Sequence, residues 1–123
     1  MILVDTSVWI DHLRVGDEDL AALLDDGEVM THPFVIGELA LGHLRQRETV
    51  LALLNDLPQA TVATDREVMH FVNQYRLFGL GIGYIDAHLL AAVQLTAEAA
   101  LWTRDRRLSG AAGRLALAVR SPH

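Results

Sequence analysis

Four acidic residues stand in settings that surface acids seldom have. Asp5 ends the apolar run Ile2-Leu3-Val4. Glu38 sits inside Pro33-Phe34-Val35-Ile36-Gly37-Glu38-Leu39-Ala40-Leu41, where helical spacing gives it Phe34 and Leu41 as neighbours at i−4 and i+3. Asp86 lies in Tyr84-Ile85-Asp86-Ala87, and Asp105 closes Leu101-Trp102-Thr103-Arg104-Asp105. Carboxylates brought together repel one another unless a cation sits between them. Hard divalent cations such as Mg²⁺ and Mn²⁺ prefer carboxylate and water oxygens. Such a site can orient and activate a water and stabilise charge developing on a phosphate. Ser7, two residues past Asp5, and Thr103, two before Asp105, can hydrogen-bond a carboxylate or a metal-bound water in support. The same acids also have plainer uses. Asp5 and Asp105 suit helix N-caps, Asp86 suits a first helical turn, and Glu38 can be simply exposed. Glutamate is rarely buried unpaired, so Glu38 is the hardest to explain away.

The elements that must carry these acids follow from hydrophobic patterning. Ile2 to Val4 reads as a strand buried on both faces, as in a parallel sheet. Thr6 and Ser7 can cap a helix bearing Val8, Trp9, Ile10 and Leu13, which Gly16 and Asp17 break. A second helix near Glu18 to Asp26 has Leu20, Leu23 and Leu24 on one face and Gly27 at its C-terminal end. Glu28 to Thr31 reads as a second strand. Pro33 suits the first turn of a helix reaching about Leu44. Arg45-Gln46-Arg47 is a polar joint before a helix over Glu48 to Asn55, and Pro58 follows it. Ala60 to Ala63 is the third strand expected. Asp65 can cap a long helix through Val68, Met69, Val72, Tyr75 and Arg76. Gly79-Leu80-Gly81-Ile82-Gly83 is a loop. Tyr84 to Thr96 is helical, Ala99 to Trp102 a fourth strand, Arg106 to Leu108 the start of a short helix and Leu115 to Val119 a fifth strand. Ser121 to His123 are expected to fray.

Short apolar strands alternating with longer helices predict an α/β fold with a mainly parallel sheet and helices on both faces. Asp5 and Asp105 then lie beyond the carboxyl ends of strands, where open α/β sheets bind ligands.

Composition removes several other chemistries. The chain has 123 residues, which sets the expectation of one domain over 1–123. It is 51% hydrophobic and 21% charged, so disorder does not describe it. It has no cysteine, so disulfides, thiolate zinc sites and cysteine nucleophiles are excluded. All ten basic residues are arginine, which excludes a phosphate-loop lysine, a Schiff base and a receiver domain. Ser7 stands where a DxDxT phosphatase needs its second aspartate. Ser7, Ser109 and Ser121 lie outside any GxSxG. The histidines 12, 32, 43, 70, 88 and 123 form no HExxH pair. Among them His88 points to a different side of its helix from Asp86 and reads as structural or exposed. Gly79, Gly81 and Gly83 come too late for a dinucleotide fingerprint. The net charge of −6 counts against a protein that coats DNA, but not against an enzyme holding cations. No apolar run reaches membrane-spanning length. The opening Met1-Ile2-Leu3-Val4-Asp5 lacks a basic n-region, so no signal peptide and a cytoplasmic location are expected.

Four segments, in order, resemble those of the PIN-domain ribonucleases, and specifically the VapC-type toxins of bacterial toxin–antitoxin pairs. They are Ile2-Leu3-Val4-Asp5-Thr6-Ser7-Val8-Trp9-Ile10, Pro33-Phe34-Val35-Ile36-Gly37-Glu38-Leu39, Ile85-Asp86-Ala87-His88-Leu89-Leu90-Ala91-Ala92 and Leu101-Trp102-Thr103-Arg104-Asp105. The resemblance covers essentially the whole chain. It implies a five-stranded parallel sheet in a three-layer α/β/α sandwich. It implies a Mg²⁺- or Mn²⁺-dependent endoribonuclease acting on structured RNA such as transfer or ribosomal RNA. It also implies a homodimer and a VapB-type antitoxin whose C-terminal segment lies across the active site. Asp5, Glu38, Asp86 and Asp105 would form the acidic cluster, with Ser7 and Thr103 in support. Arg106 and Arg107 stand where many members carry a further acid, which bears on the number of metals. Asp5, Asp86 and Asp105 are expected to hold a metal, and Glu38 to bind it or act as general base. Arg76, Arg104, Arg106 and Arg107 are candidates for RNA phosphates. The helical hairpins near 8–26 and 34–55 are the expected place for a dimer contact or an antitoxin groove. The alternatives are a catalytically silent PIN-like module that binds RNA or protein, and an acidic-cluster DNA nuclease.

Overall fold

Three short parallel strands organise the molecule. They are β1 (Ile2–Val4), β2 (Val29–Met30) and β3 (Ala100–Trp102), in the spatial order β2-β1-β3. Ile2 and Leu3 pair with Val29 and Met30 on one side, and Ile2, Leu3 and Val4 pair with Ala100, Leu101 and Trp102 on the other. The computed structural model describes residues 1–119, so the expected fraying of Ser121 to His123 lies outside the described residues. β1 is central and wholly apolar because it is covered on both faces: Leu3 and Val4 have no exposed surface.

Seven helices connect and cover the strands among the described residues: α1 (Thr6–Val15), α2 (Glu18–Asp25), α3 (Pro33–Ala40), α4 (Arg47–Asp56), α5 (Asp65–Tyr75), α6 (Tyr84–Leu95) and α7 (Arg106–Arg114). α6 is the core helix. Ala87 to Val93 are all buried, and its alanines let it lie close to the sheet.

The expectation of five strands is corrected to three. Each flanking strand shrinks to one parallel bridge, Thr31 to Gln59 and Leu101 to Ala118. The Ala60 amide still bonds the Thr31 carbonyl, but beyond it the ladder stops, and the Thr61 amide donates instead to Thr96 Oγ1 at the end of α6. Leu115 to Val119 spend their first residues turning out of α7. Ala116 takes a left-handed conformation at φ 59°, and the Leu117 amide still bonds back to Ala112. Only the Leu117 carbonyl and the Val119 amide are left for Leu101.

Two helix starts also differ from expectation. The cap of α5 is Thr64, not Asp65: Thr64 and Glu67 form a reciprocal capping box, and Asp65 is the first helical residue. Thr6 and Ser7 lie inside α1, whose N-cap position is Asp5. α3 stops at Ala40 rather than Leu44, and left-handed Gln46 makes the joint before α4. Among the described residues no helix is long and apolar enough to cross a membrane.

Candidate active site

β1 has β2 on one side and β3 on the other, so the chain leaves its carboxyl end in one direction and later returns on the opposite side. A crevice opens at such a reversal. Asp5 follows β1 there and Asp105 follows β3 by three residues. Three helices also begin with an acid at this edge. Asp5 occupies the N-cap position of α1, Asp105 that of α7, and Asp86 the third position of α6. The positive ends of three helix dipoles therefore help to hold negative charge in one place. Glu38 comes from the second turn of α3.

Each carboxylate has one oxygen held by the protein. Asp5, which is buried, accepts from Ser7 Oγ at 2.9 Å and from Thr103 Oγ1 at 2.7 Å, both on Oδ2. Ser7 and Thr103 lie 3.3 Å apart, and each accepts a backbone amide, from Arg104 and Asp105 respectively. Thus Ser7 and Thr103 tie the loop after β3 to the start of α1 through Asp5. Asp105 Oδ1 caps α7, accepting from the Arg107 and Leu108 amides at 2.9 and 3.1 Å. Asp86 Oδ2 accepts from the Gly83 amide at 3.1 Å. Glu38 Oε1 accepts from Thr6 Oγ1 at 2.8 Å. The second oxygen of each has no hydrogen-bond partner among the described residues.

The electrostatics show the four acids acting on one another. The Asp86 carboxyl is raised above its ordinary value of 3.8, first by burial and then by the charges of Asp5, Asp105 and Glu38. The Gly83 amide pulls the other way without cancelling the rise. Four elements distant in sequence therefore deliver four acids to one field. Among the described residues they do not close into a ready-made cage of three or more metal ligands. Their chemistry nonetheless suits a hard divalent cation. Each offers an oxygen not engaged by the protein, and the repulsion felt by Asp86 is what a cation would relieve.

The expected arginines divide. Arg104 is engaged within the chain: Nε is 2.9 Å from Asp11, Nη2 pairs with Asp17, and the guanidinium packs over Trp102. Arg76 ends α5 in a left-handed conformation, away from the start of α7 in sequence, and its carbonyl accepts from Arg114. Arg106 and Arg107 are exposed in the first turn of α7, beside Asp105. Arg107 lies across Gly81, where a Cβ would sit 2.7 Å from its guanidinium, so the glycine loop is shaped around this side chain. The sequence reading missed Thr6, although its place next to Asp5 was a usable signal. It also missed Asp11 and Asp17 as the partners that occupy Arg104.

A cavity of about 550 Å³ reaches one of the four acids, Glu38. Ile10, Leu13, Leu39, Leu44 and Val50 form its apolar walls, and His12, Arg14, His43, Arg45 and Gln46 give it a polar lining beside Glu38.

Comparison with known proteins agrees with this arrangement. Residues 2–114 match the PIN domain. The chain is 52% identical over 119 residues to Ribonuclease VapC32 of Mycobacterium tuberculosis, in strains CDC 1551 / Oshkosh and ATCC 25618 / H37Rv. The match covers 97% of this chain and 96% of the relative. A parallel sheet with four acids from four elements at one edge, together with these matches, means that the chain belongs to the PIN-domain family, on its VapC side.

Proposed function

We propose that this protein is the toxin of a type II toxin–antitoxin pair and a Mg²⁺- or Mn²⁺-dependent endoribonuclease. It would hydrolyse phosphodiester bonds in structured RNA such as transfer or ribosomal RNA, in the cytoplasm. The observation behind it is that Asp86, raised first by burial, also feels the charges of Asp5, Asp105 and Glu38, so four acids from distant parts of the chain share one field. RNA is preferred to DNA because the relatives at 52% identity are named ribonucleases.

In this reading Asp5, Asp86 and Asp105 would hold the cation, directly or through water. Glu38 would join them or take a proton from the water that is consumed; its exposed position and unengaged oxygen suit either task. A bound divalent cation would supply charge neutralisation at the phosphate and a more acidic water. Ser7 and Thr103 orient Asp5 through its Oδ2. The helix N-termini at the same edge favour an approaching phosphate. Arg106 and Arg107 can bind neighbouring phosphates by paired hydrogen bonds.

The proposal extends to assembly. The chain would act as one domain of three-layer α/β/α type and as a homodimer. A VapB-type antitoxin would lay its C-terminal segment across the acids. The cavity between α1 and the α3–α4 connection supports that placement, because Glu38 lines it and its mixed apolar and polar walls can take an amphipathic partner helix.

The test is end-mapping of total cellular RNA after incubation with purified protein. It is run with Mn²⁺ or Mg²⁺, with a chelator, and with Asp86→Asn. Discrete cuts that need the cation and vanish in the variant support the reading. An absence of cuts together with no cation binding by calorimetry would replace it with a silent binding module.

A further inference from the structure

One side chain, that of Arg107, spans the two helix starts that carry Asp105 and Asp86. Its amide donates to Asp105 Oδ1 at 2.9 Å in the first turn of α7. Its side chain reaches across to the loop before α6 and lies on Gly81, two residues from Gly83, whose amide holds Asp86 Oδ2. A Cβ on Gly81 would meet Arg107 Nη1 at 2.7 Å, Cδ at 2.8 Å and Cζ at 3.1 Å. The far half of the arginine therefore occupies the space that a side chain at position 81 would need. Gly81 has φ +78°, and Gly79 in the same loop has φ +74°, but nothing lies within 4 Å of the place of a Gly79 Cβ. Backbone conformation favours glycine at both positions. Of the two, only Gly81 also makes room for a neighbour.

The guanidinium held in this way is left open. Arg107 is exposed, and among the described residues its guanidinium pairs with no carboxylate, Asp105 included. Arg104, by contrast, is taken by Asp11 and Asp17, and Arg114 donates to the Tyr75 and Arg76 carbonyls. An arginine that lies along the protein surface and keeps its head in water is ready for an anion. Its planar fork matches two oxygens of one phosphate. Seating the side chain beforehand reduces the rotamer freedom that binding would remove. Arg106 lacks this direction, because it leaves the helix about 100° away from Arg107.

We propose that Gly81 seats Arg107 as a preset clamp for one RNA phosphate, beside the phosphate that is cleaved at the acids. Arg107 is then the phosphate ligand and Gly81 a positioning residue. The RNA comes from the proposed function, on which the clamp rests; the seat is a property of the chain alone.

The test is steady-state cleavage of total cellular RNA, followed at one end-mapped cut in Mn²⁺ or Mg²⁺ over a range of monovalent salt. Arg107→Met keeps a stem over Gly81 and removes the charge. It should raise KM about ten- to a hundredfold and leave kcat nearly unchanged, because a phosphate beside the reacting one is held alike before and during the step. The slope of log kcat/KM against log salt should become shallower by about one. Arg107→Lys should restore the slope and only part of the affinity. Arg106→Met should raise KM less than about threefold. An unchanged KM and slope in Arg107→Met, or an equal loss in Arg106→Met, would overturn the clamp.

Two glycine variants separate the seat from backbone strain. Gly81→Ala and Gly79→Ala each put a side chain on a left-handed residue, so both should lower folding stability alike. The clash at Gly81 is with the far end of a flexible side chain, so the added methyl displaces the guanidinium rather than the backbone. Gly81→Ala should therefore raise KM nearly as far as Arg107→Met, and combining the two should add less than about twofold. Gly79→Ala should leave KM at the wild-type value. Equal KM losses in the two glycine variants, or losses that multiply in the double variant, would overturn the seat. If a glycine variant fails to fold, Arg107→Met and its salt slope decide. A wild type that cuts no RNA overturns the proposed function. Binding of bulk transfer RNA by the wild type and Arg107→Met, with the same salt slopes, then judges the clamp by itself: equal affinities and slopes overturn it.

Discussion

Two groups of acids in this molecule are treated in opposite ways. Asp11 and Asp17, on and just after α1, share the guanidinium of Arg104. Asp17 is held below its ordinary 3.8, first by the Leu20 amide that it caps and then by Arg104. Asp5, at the start of the same helix, meets hydroxyls instead of a cation, and its charge helps to raise Asp86. The first group is complete within the chain, and its business is to tie the loop after β3 to α1. Among the described residues no arginine pairs with an acid of the second group, and each of those acids keeps an oxygen that the protein does not engage.

The largest test of that contrast is Asp86→Asn. It should lower RNA cleavage by at least about 10²–10³-fold, the loss typical of removing one charged or dipolar group from a reaction centre. Its metal-free form should be more stable than the wild type, because burial first and the three neighbouring acids next disfavour the Asp86 carboxylate in the folded state. Chemical denaturation without divalent ions, set beside end-mapped cleavage, measures both. A destabilised variant would mean that Asp86 has a structural partner.

Adding Mn²⁺ or Mg²⁺ should stabilise the wild type. At a hundredfold excess over Kd the gain is about 2.7 kcal/mol. Thermal melts across a metal titration read it, and Asp86→Asn should flatten the response. An equal rise in both proteins would place the cation elsewhere.

Arg104→Ala addresses the compensated group. The pairs are partly exposed, with Arg104 at 41% and Asp17 at 17%, so a loss of about 1 kcal/mol in folding stability is expected. Cleavage measured well below the melting temperature should change little, since the guanidinium is already engaged. A drop in RNA affinity without a drop in stability would return Arg104 to the list of RNA contacts.

The smallest effects are in pH. Asp86 binds its proton more tightly folded than unfolded. The metal-free protein should therefore lose stability as pH rises from 3.8 through the raised Asp86 value. Asp17 has the opposite sign. Its contribution is present above 3.8 and is lost as pH falls through its lowered value. Stability–pH curves of Asp86→Asn and Asp17→Asn should each lack one of these slopes.

Local chemistry in the chain was enough for much of the fold. The apolar run stopping at Asp5, Pro33 at the start of α3, the glycine loop before Tyr84 and the alanine-rich α6 all read directly from residue type and spacing. Strand extent did not, because pairing at a sheet edge depends on what else competes for the amides. Thr96 takes the Thr61 amide, and α7 keeps the Leu117 amide. Caps were ambiguous for a related reason. An aspartate before a helix has the same local pattern whether it caps, as Asp105 does, or gives its oxygen to Ser7 and Thr103, as Asp5 does.

Residue identity and order alone mark this chain as α/β, with four unusual acids, no thiol, no lysine and the motif order of its family. Those are properties of residue identity and of short-range periodicity. Which charges meet depends on the packed fold. It places Arg104 between Asp11 and Asp17, leaves Asp5, Glu38, Asp86 and Asp105 in one field, and buries His32 and His88, each with a ring nitrogen that has no partner among the described residues. Electrostatic and hydrogen-bond energies depend on distance and burial, and residues nearly a hundred positions apart acquire both only when the chain folds.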